Sequence, residues 1–147
     1  MFCTARSIAS ETKSCSVAVR LVSVERVAPQ PASNNAQVAS VSVDSPYSHQ
    51  AWSKADLKEQ RYPMLSDLNH AISTAYGCYL EDKGIALRAT YIVDPEGTLQ
   101  WAEFNPLNVG RNADEILRVL TALQTGELCQ AGWKPGDQTL SAKLGKK

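Results

Sequence analysis

The chain has 147 residues, enough for one domain with its own core. Hydrophobic residues make up 44% and charged residues 20%, the balance of an ordinary globular chain. Lys and Arg total 15 and Asp and Glu total 15, so net charge offers no electrostatic case for nucleic acid or an anionic membrane surface. No apolar run approaches the roughly 18 residues needed to span a bilayer.

Residues 1–34 are rich in Ser, Ala, Val and Arg and lack the continuous apolar core of a secretory signal. A transit-peptide character is weakened by Glu11, Glu25 and the Pro29/Pro31 pair. Two patterns compete in this stretch. Val17, Ala18, Leu21, Val24 and Ala28 fit one helix face, while Val17, Val19 and Leu21 alternate as a strand. Pro29-Gln30-Pro31 ends either one, and Ser33-Asn34-Asn35 reads as a turn. The segment is expected to be poorly ordered or loosely packed.

From residue 35 the pattern sharpens. Gln37 to Asp44 alternates and is β-branched, which predicts a strand. Ser45-Pro46 predicts a helix start, with Trp52 and Leu57 carried to about Gln60. Tyr62 to Leu65 is a short strand or extended link. Asp67 opens a helix through Ala71, Ile72 and Ala75, closed by Gly77. Leu87 to Val93 is a strand, Asp94-Pro95-Glu96-Gly97 a type I turn, and Thr98 to Phe104 the returning hairpin strand. Asn112 and Glu115 form a capping box for a helix burying Ile116, Leu117, Leu120 and Leu123 and ending at Gly126. The order is α/β, with a parallel portion feeding an antiparallel edge. It matches most of a thioredoxin-like fold but lacks that fold's opening strand. Three segments are expected: 1–34, a folded domain over 35–125, and a tail over 126–147.

Four cysteines stand at positions 3, 15, 78 and 129, with no C-x-x-C spacing. Scattered thiols and two histidines argue against zinc, and the length and lack of an export signal argue against a disulfide framework. No cofactor or metal is expected. Cys78, among apolar neighbours, reads as buried and inert. His49 and His70 read as exposed helix residues. Cys129 follows a helix and a glycine in a polar tail, so it is expected to be mobile. Glu127 disfavours its thiolate and no cation is adjacent in sequence, which suits a second thiol better than a primary nucleophile. Arg88 and Arg111, read alone, are solvated arginines at a strand end and a helix start.

The stretch from Ala36 to Leu140 resembles a typical two-cysteine peroxiredoxin of the alkyl hydroperoxide reductase and thiol-specific antioxidant type. The resemblance rests on Val43-Asp44-Ser45-Pro46-Tyr47-Ser48-His49, Pro63-Met64-Leu65-Ser66-Asp67, Val93-Asp94-Pro95-Glu96-Gly97, Val109-Gly110-Arg111 and Gly126-Glu127-Leu128-Cys129 followed by Trp133-Lys134-Pro135-Gly136-Asp137. It implies an incomplete thioredoxin-like α/β fold and a thiol-dependent peroxidase acting on hydrogen peroxide and organic hydroperoxides. Thioredoxin or a flavoprotein disulfide reductase would supply electrons, without a bound cofactor. It further implies a cytoplasmic homodimer or ring of dimers, with no nucleic acid or membrane partner. By the resemblance Cys129 is the resolving cysteine, although Gln130 stands where the family has Pro. Arg88 and Arg111 match the two arginines that support the peroxidatic sulfur.

The peroxidatic motif, Pro-x-x-x-Thr-x-x-Cys at the first turn of a helix, has no clear match. A crossover before Val41 places that cysteine roughly 25 residues upstream. Cys15 lies there with Thr12 three residues before it, but Ile8 replaces the Pro and Ser16-Val17 the following Pro-Thr. Cys3 lies too far upstream. Neither Gly-Gly-Leu-Gly before Tyr62 nor a Tyr-Phe tail is present, the pattern of the type that resists over-oxidation. Residues 1–34 match no part of the family pattern. A frame-shifted or mis-assembled reading frame and genuine divergence both leave such a break. The alternative to a peroxidase is an inactive remnant that pairs with intact subunits.

Overall fold

The computed structural model describes residues 15–19, 36–55 and 62–145, with backbone alone for the first of these. The chain divides into two compact units, Met1–Arg111 and Asn112–Lys147.

The first unit is built on a five-stranded sheet of order β3-β2-β1-β6-β7. Its strands are β1 (Cys15–Val19), β2 (Ala36–Ser42), β3 (Met64–Ser66), β6 (Arg88–Val93) and β7 (Leu99–Asn105). β1 to β3 run parallel, and β6 and β7 join antiparallel. This is the expected parallel part with an antiparallel edge. The central strand, expected to be missing, is supplied by β1. Of the two patterns the alternating one wins over residues 15–19, because β1 pairs with β2 on one side and β6 on the other. The connection between β1 and β2 lies outside the described residues.

α1 (Pro46–Ala55) starts where Ser45-Pro46 predicts. The Ser45 hydroxyl accepts from the Ser48 amide at 3.1 Å, and Pro46 occupies the first turn, where no amide partner is needed. The predicted continuation through Leu57 to Gln60 lies outside the described residues.

α2 (Ala71–Ala75) begins later than predicted, because His70 takes a left-handed conformation with φ 58°. Asp67 still governs its start. Its carboxylate, 1% exposed, accepts from the Ile72 amide at 2.9 Å, the Ser73 amide at 2.8 Å and the Ser73 hydroxyl at 2.6 Å. Gly77 follows with φ 67°, the conformation for which glycine was predicted there. A hairpin of β4 (Tyr79–Leu80) and β5 (Ile85–Ala86) comes next, not foreseen from the sequence.

β6 is buried along nearly its whole length, with Ala89, Thr90 and Ile92 at 0% exposure. Around it Cys78, Ala86, Ala89 and Tyr91 form a core cluster, so Cys78 is buried as expected. The Tyr91 ring meets Tyr76 edge-on at 4.8 Å, and its hydroxyl donates to the Tyr76 carbonyl at 2.6 Å. The Asp94–Gly97 turn forms as predicted. Thr98 donates its amide to the Asp94 carboxylate at 2.7 Å, and this bond foremost holds the Asp94 carboxyl below its ordinary range.

The second unit holds α3 (Ala113–Thr125) and α4 (Leu140–Lys143). Asn112 caps α3 by accepting from the Asp114 and Glu115 amides, and Gly126 closes it with φ 65°. The expected capping box is only half made, because Glu115 turns to Arg118 instead of back to Asn112. The buried face is Ile116, Val119 and Leu120, whereas Leu123 is 37% exposed.

The three hydrogen bonds to buried Asp67 carry the connection from β3 to α2. Asp67→Ala leaves the Ile72 and Ser73 donors without their charged acceptor. A loss of roughly 2–4 kcal/mol is expected. Urea denaturation followed by circular dichroism measures it, and a change under about 0.5 kcal/mol would refute this role.

Candidate active site

The residues singled out from the sequence fall in both units. In the first unit Arg88 opens β6 and Arg111 ends the loop after β7. Each braces the backbone near the other. Arg88 Nη1 donates to the Val109 carbonyl at 3.1 Å, and Arg111 Nη2 donates to the Ala89 carbonyl at 3.4 Å. Neither is the freely solvated arginine that each suggests when read alone. The strap ties loop 106–111 to the start of β6. A guanidinium presents several N–H donors, so Arg88 keeps donors beyond the Val109 bond for an anionic or polar reactant.

The strand face that carries Arg88 continues through Thr90. Register sets Arg88 opposite Asn105 and Thr90 opposite Glu103. Asn105 donates to Glu103 Oε1 at 3.0 Å. Thr90 Oγ1 and Glu103 Oε2 are buried and make no hydrogen bond among the described residues. The face therefore joins a cation, a carboxylate and an unspent hydroxyl. Glu103 was missed in the sequence. Its place in the alternation of β7 with Trp101 and Asn105 was the available signal.

Cys15 does not join this group. It opens a strand, not the first turn of a helix. Register sets Ser16 opposite Val93 and Val19 opposite Thr90. Cys15 thus stands at the Val93 end of β6 and Arg88 at the other end, about 15–20 Å along the strand. By that backbone register the two residues stand apart along the sheet.

His49 is another correction. It is 8% exposed, not a solvated helix residue. Its Nε2 lies 2.6 Å from the Ser42 hydroxyl, which itself donates to Asp44 at 2.6 Å. A hydroxyl has one proton, so His49 Nε2 is the donor and Ser42 the acceptor. That wiring excludes Ser42 as a nucleophile activated by His49, because the histidine has no free lone pair facing it. His70, expected on a helix, lies just before one and stacks on Tyr79 at 4.4 Å.

In the second unit Cys129 sits in a folded tail. The Leu128 amide donates to the Ser141 hydroxyl at 2.9 Å, and the Leu140 amide donates to the Leu128 carbonyl at 2.8 Å. Thr139 donates its hydroxyl to Glu127. Trp133 is 2% exposed and donates its indole N–H to the Asp137 carbonyl at 3.0 Å. These bonds close the tail on itself, where the glycines alone suggested mobility. The thiol, partly exposed, donates weakly to the Glu127 carbonyl at 3.7 Å and approaches Thr125 Oγ1 at 3.9 Å. A cavity of about 280 Å³ opens beside it, lined by Arg118, Val119, Ala122, Leu123, Glu127 and Cys129 among others.

Arg118 grips Glu115 with two bonds, at 2.7 and 2.8 Å, and donates to the Trp133 carbonyl at 3.2 Å. The Arg118 hydrogen bond holds the Glu115 carboxyl below its ordinary range. The same hydrogen bond raises Arg118, burial opposes it, and the charges of Glu115 and of a Cys129 thiolate add to the rise.

The model of the AhpC/TSA family matches residues 9–102. The putative peroxiredoxin YkuU of Bacillus subtilis (strain 168) is 48% identical over 111 residues, which cover 72% of this chain and 62% of that one. Peroxiredoxin-4 of Rattus norvegicus is 46% identical over 115 residues, covering 72% of this chain and 42% of that one. This chain belongs to the AhpC/TSA family of peroxiredoxins. The solved structure of Mycobacterium bovis AhpC superposes with a TM-score of 0.71 at 35% identity, covering 83% of this chain and 75% of that one. The reduced 2-Cys peroxiredoxin of Plasmodium vivax gives a TM-score of 0.73 at 29% identity, covering 86% of this chain and 76% of that one. The fold is therefore the thioredoxin-like α/β fold of this peroxiredoxin family. The family match begins upstream of Ala36 and takes in β1, so the expectation that nothing before residue 35 resembles the family is corrected. The chain thus spans less than two thirds of the length of each of these curated relatives. Among the described residues no helix is long and apolar enough to cross a membrane.

A carboxyl depressed by a folded-state partner stabilises above its unfolded pKa, and that stability is lost as pH falls through the lower folded value. Glu115 is such a group. Protection of the Trp133 indole N–H from hydrogen exchange is expected to fall below pH ~4. In Glu115→Gln it is expected to be weaker already at neutral pH, with a flatter acid limb. An unchanged acid limb in that variant, followed by NMR, would separate the fork from the tail's stability.

Proposed function

We propose that this peroxiredoxin reduces hydrogen peroxide and organic hydroperoxides through thiol chemistry, in the cytoplasm and as a homodimer or ring of dimers. The observation that carries the reading is the reciprocal strap of Arg88 and Arg111, which holds a guanidinium with spare donors at the head of a buried strand.

The chemistry asks for three parts. A thiolate attacks one peroxide oxygen, an S–O bond forms and the O–O bond breaks. The leaving oxygen takes the electron pair and then a proton, becoming water or an alcohol. Arg88, steadied by Arg111, stabilises the negative charge that passes between sulfur and oxygen. Cys129 then attacks the sulfenic acid. An S–S bond forms, the S–O bond breaks and water leaves. A dithiol donor, thioredoxin or a flavoprotein disulfide reductase, returns both sulfurs to thiols and is itself oxidised. Cys15 takes the attacking role only if β1 releases its pairing with β6, since the register otherwise holds it away from Arg88.

Peroxide consumption by the purified chain with excess dithiothreitol tests the reading. A second-order rate at or above ~10⁴ M⁻¹s⁻¹, the lower end of ordinary enzyme efficiency, is expected. Arg88→Lys is expected to lower it about tenfold or more, because an ammonium lacks the planar fork. Cys129→Ser should leave single-turnover oxidation intact and stop disulfide formation. Unchanged turnover in Cys15→Ser removes Cys15 from the mechanism. A rate equal to that of free thiol overturns the proposal and leaves the remnant that only pairs with intact subunits.

A further inference from the structure

We propose that Arg118 is a positioning residue for the Cys129 thiol, placing a fixed positive charge in the cavity where that sulfur reacts. The inference rests on the reading of Cys129 as a redox thiol and adds a residue to it.

The sulfur's own contacts do not favour an anion. Its neighbours at hydrogen-bond range are the Glu127 carbonyl and Thr125 Oγ1. The Thr125 hydroxyl spends its proton on the Ala122 carbonyl at 2.7 Å, so it also meets the sulfur as an acceptor. Both contacts suit S–H and neither offers a donor to S⁻. Glu127, on the same cavity wall, adds a carboxylate. Yet Cys129 must be a thiolate twice, when it attacks a sulfenic sulfur and when its disulfide is opened and it departs. Among the residues lining the cavity, Arg118 is the one cation.

Its placement is built, not incidental. Arg118 and Ala122 fall four residues apart on α3, so they share one face leading to Gly126, which closes the helix before Cys129. Glu115, one turn earlier, takes two of the guanidinium N–H groups and fixes its plane. The Trp133 carbonyl takes another and ties the arginine to the tail beyond Cys129. The side chain thus links helix to tail across the cavity while staying 30% exposed, open to an entering reactant. Glu115 both orients the cation and partly cancels its charge. Removing the glutamate and removing the arginine should therefore act in opposite directions on an anionic reactant.

Alkylation of Cys129 in the full-length chain, read by mass spectrometry of its peptide, tests this with iodoacetate and iodoacetamide. One reagent is anionic and the other neutral, and neither is a peroxide, so a chain without peroxidase activity still answers. In Arg118→Gln the iodoacetate-to-iodoacetamide rate ratio is expected to fall about threefold at low salt, the size of a unit charge acting over several ångströms near a protein surface. Arg118→Lys should restore most of the ratio, and Glu115→Gln should raise it. In the unaltered chain the ratio should fall as salt shortens the reach of the charge. A purely structural role changes both rates together and leaves the ratio alone. An unchanged ratio in Arg118→Gln overturns the proposal. If that variant does not fold, a salt-independent ratio in the unaltered chain overturns it equally.

Discussion

The two-sided pairing of β6 is the constraint on which the first unit depends. β6 is hydrogen-bonded by β1 on one side and β7 on the other, and its side chains are almost wholly buried. A strand enclosed in this way cannot slip by one residue without exchanging its two faces. Arg88, Thr90 and Ile92 would trade places with Ala89, Tyr91 and Val93. The Tyr91 contacts with Tyr76 and Phe104 oppose that exchange, because they need an aromatic ring on one particular face. The position of Arg88 is thus set by packing on the face it does not occupy. The strap from Arg111 to Ala89 extends that order into the loop after β7.

The second unit solves a different problem, holding the Cys129 thiol in a folded tail without burying it. Cys129 leaves α3 through a left-handed glycine and is then enclosed by bonds from α4 and the Trp133 turn. Most of these bonds join the residues around Cys129 to the start of α4, and several involve partly exposed groups. Such structure can open locally at modest cost while the rest of the chain stays folded. Arg118, held by Glu115, adds a bond from α3 to the Trp133 carbonyl.

Much of this was legible in the residues. β2, β3, β6, β7 and their turn follow from alternation and from Asp94-Pro95-Glu96-Gly97. Ser45-Pro46 and Asn112 mark helix starts because capping is a bond between neighbours in sequence. The region before residue 35 was ambiguous for an equally physical reason. Val17 and Val19 satisfy a strand pattern and Val17, Leu21, Val24 and Ala28 a helix pattern, and only the partner strands choose between them. His49 was misread because a histidine on a polar helix is usually solvated. Its burial follows from Ser42 and Asp44, which the helix start brings beneath it.

The sequence by itself determined the family, the order of elements and the identity of the arginines and of Cys129 as candidates. Those are properties of local periodicity and of short motifs, complete within a few residues. Only the tertiary structure decided which candidates meet. The register of β1 against β6 separates Cys15 from Arg88. The return of loop 106–111 onto β6 turns two distant arginines into one brace. The folded tail brings a cation to Cys129 where the sequence shows only Glu127 beside it. Each of these depends on strand register or chain reversal, and neither is encoded in the spacing of the residues that it brings together.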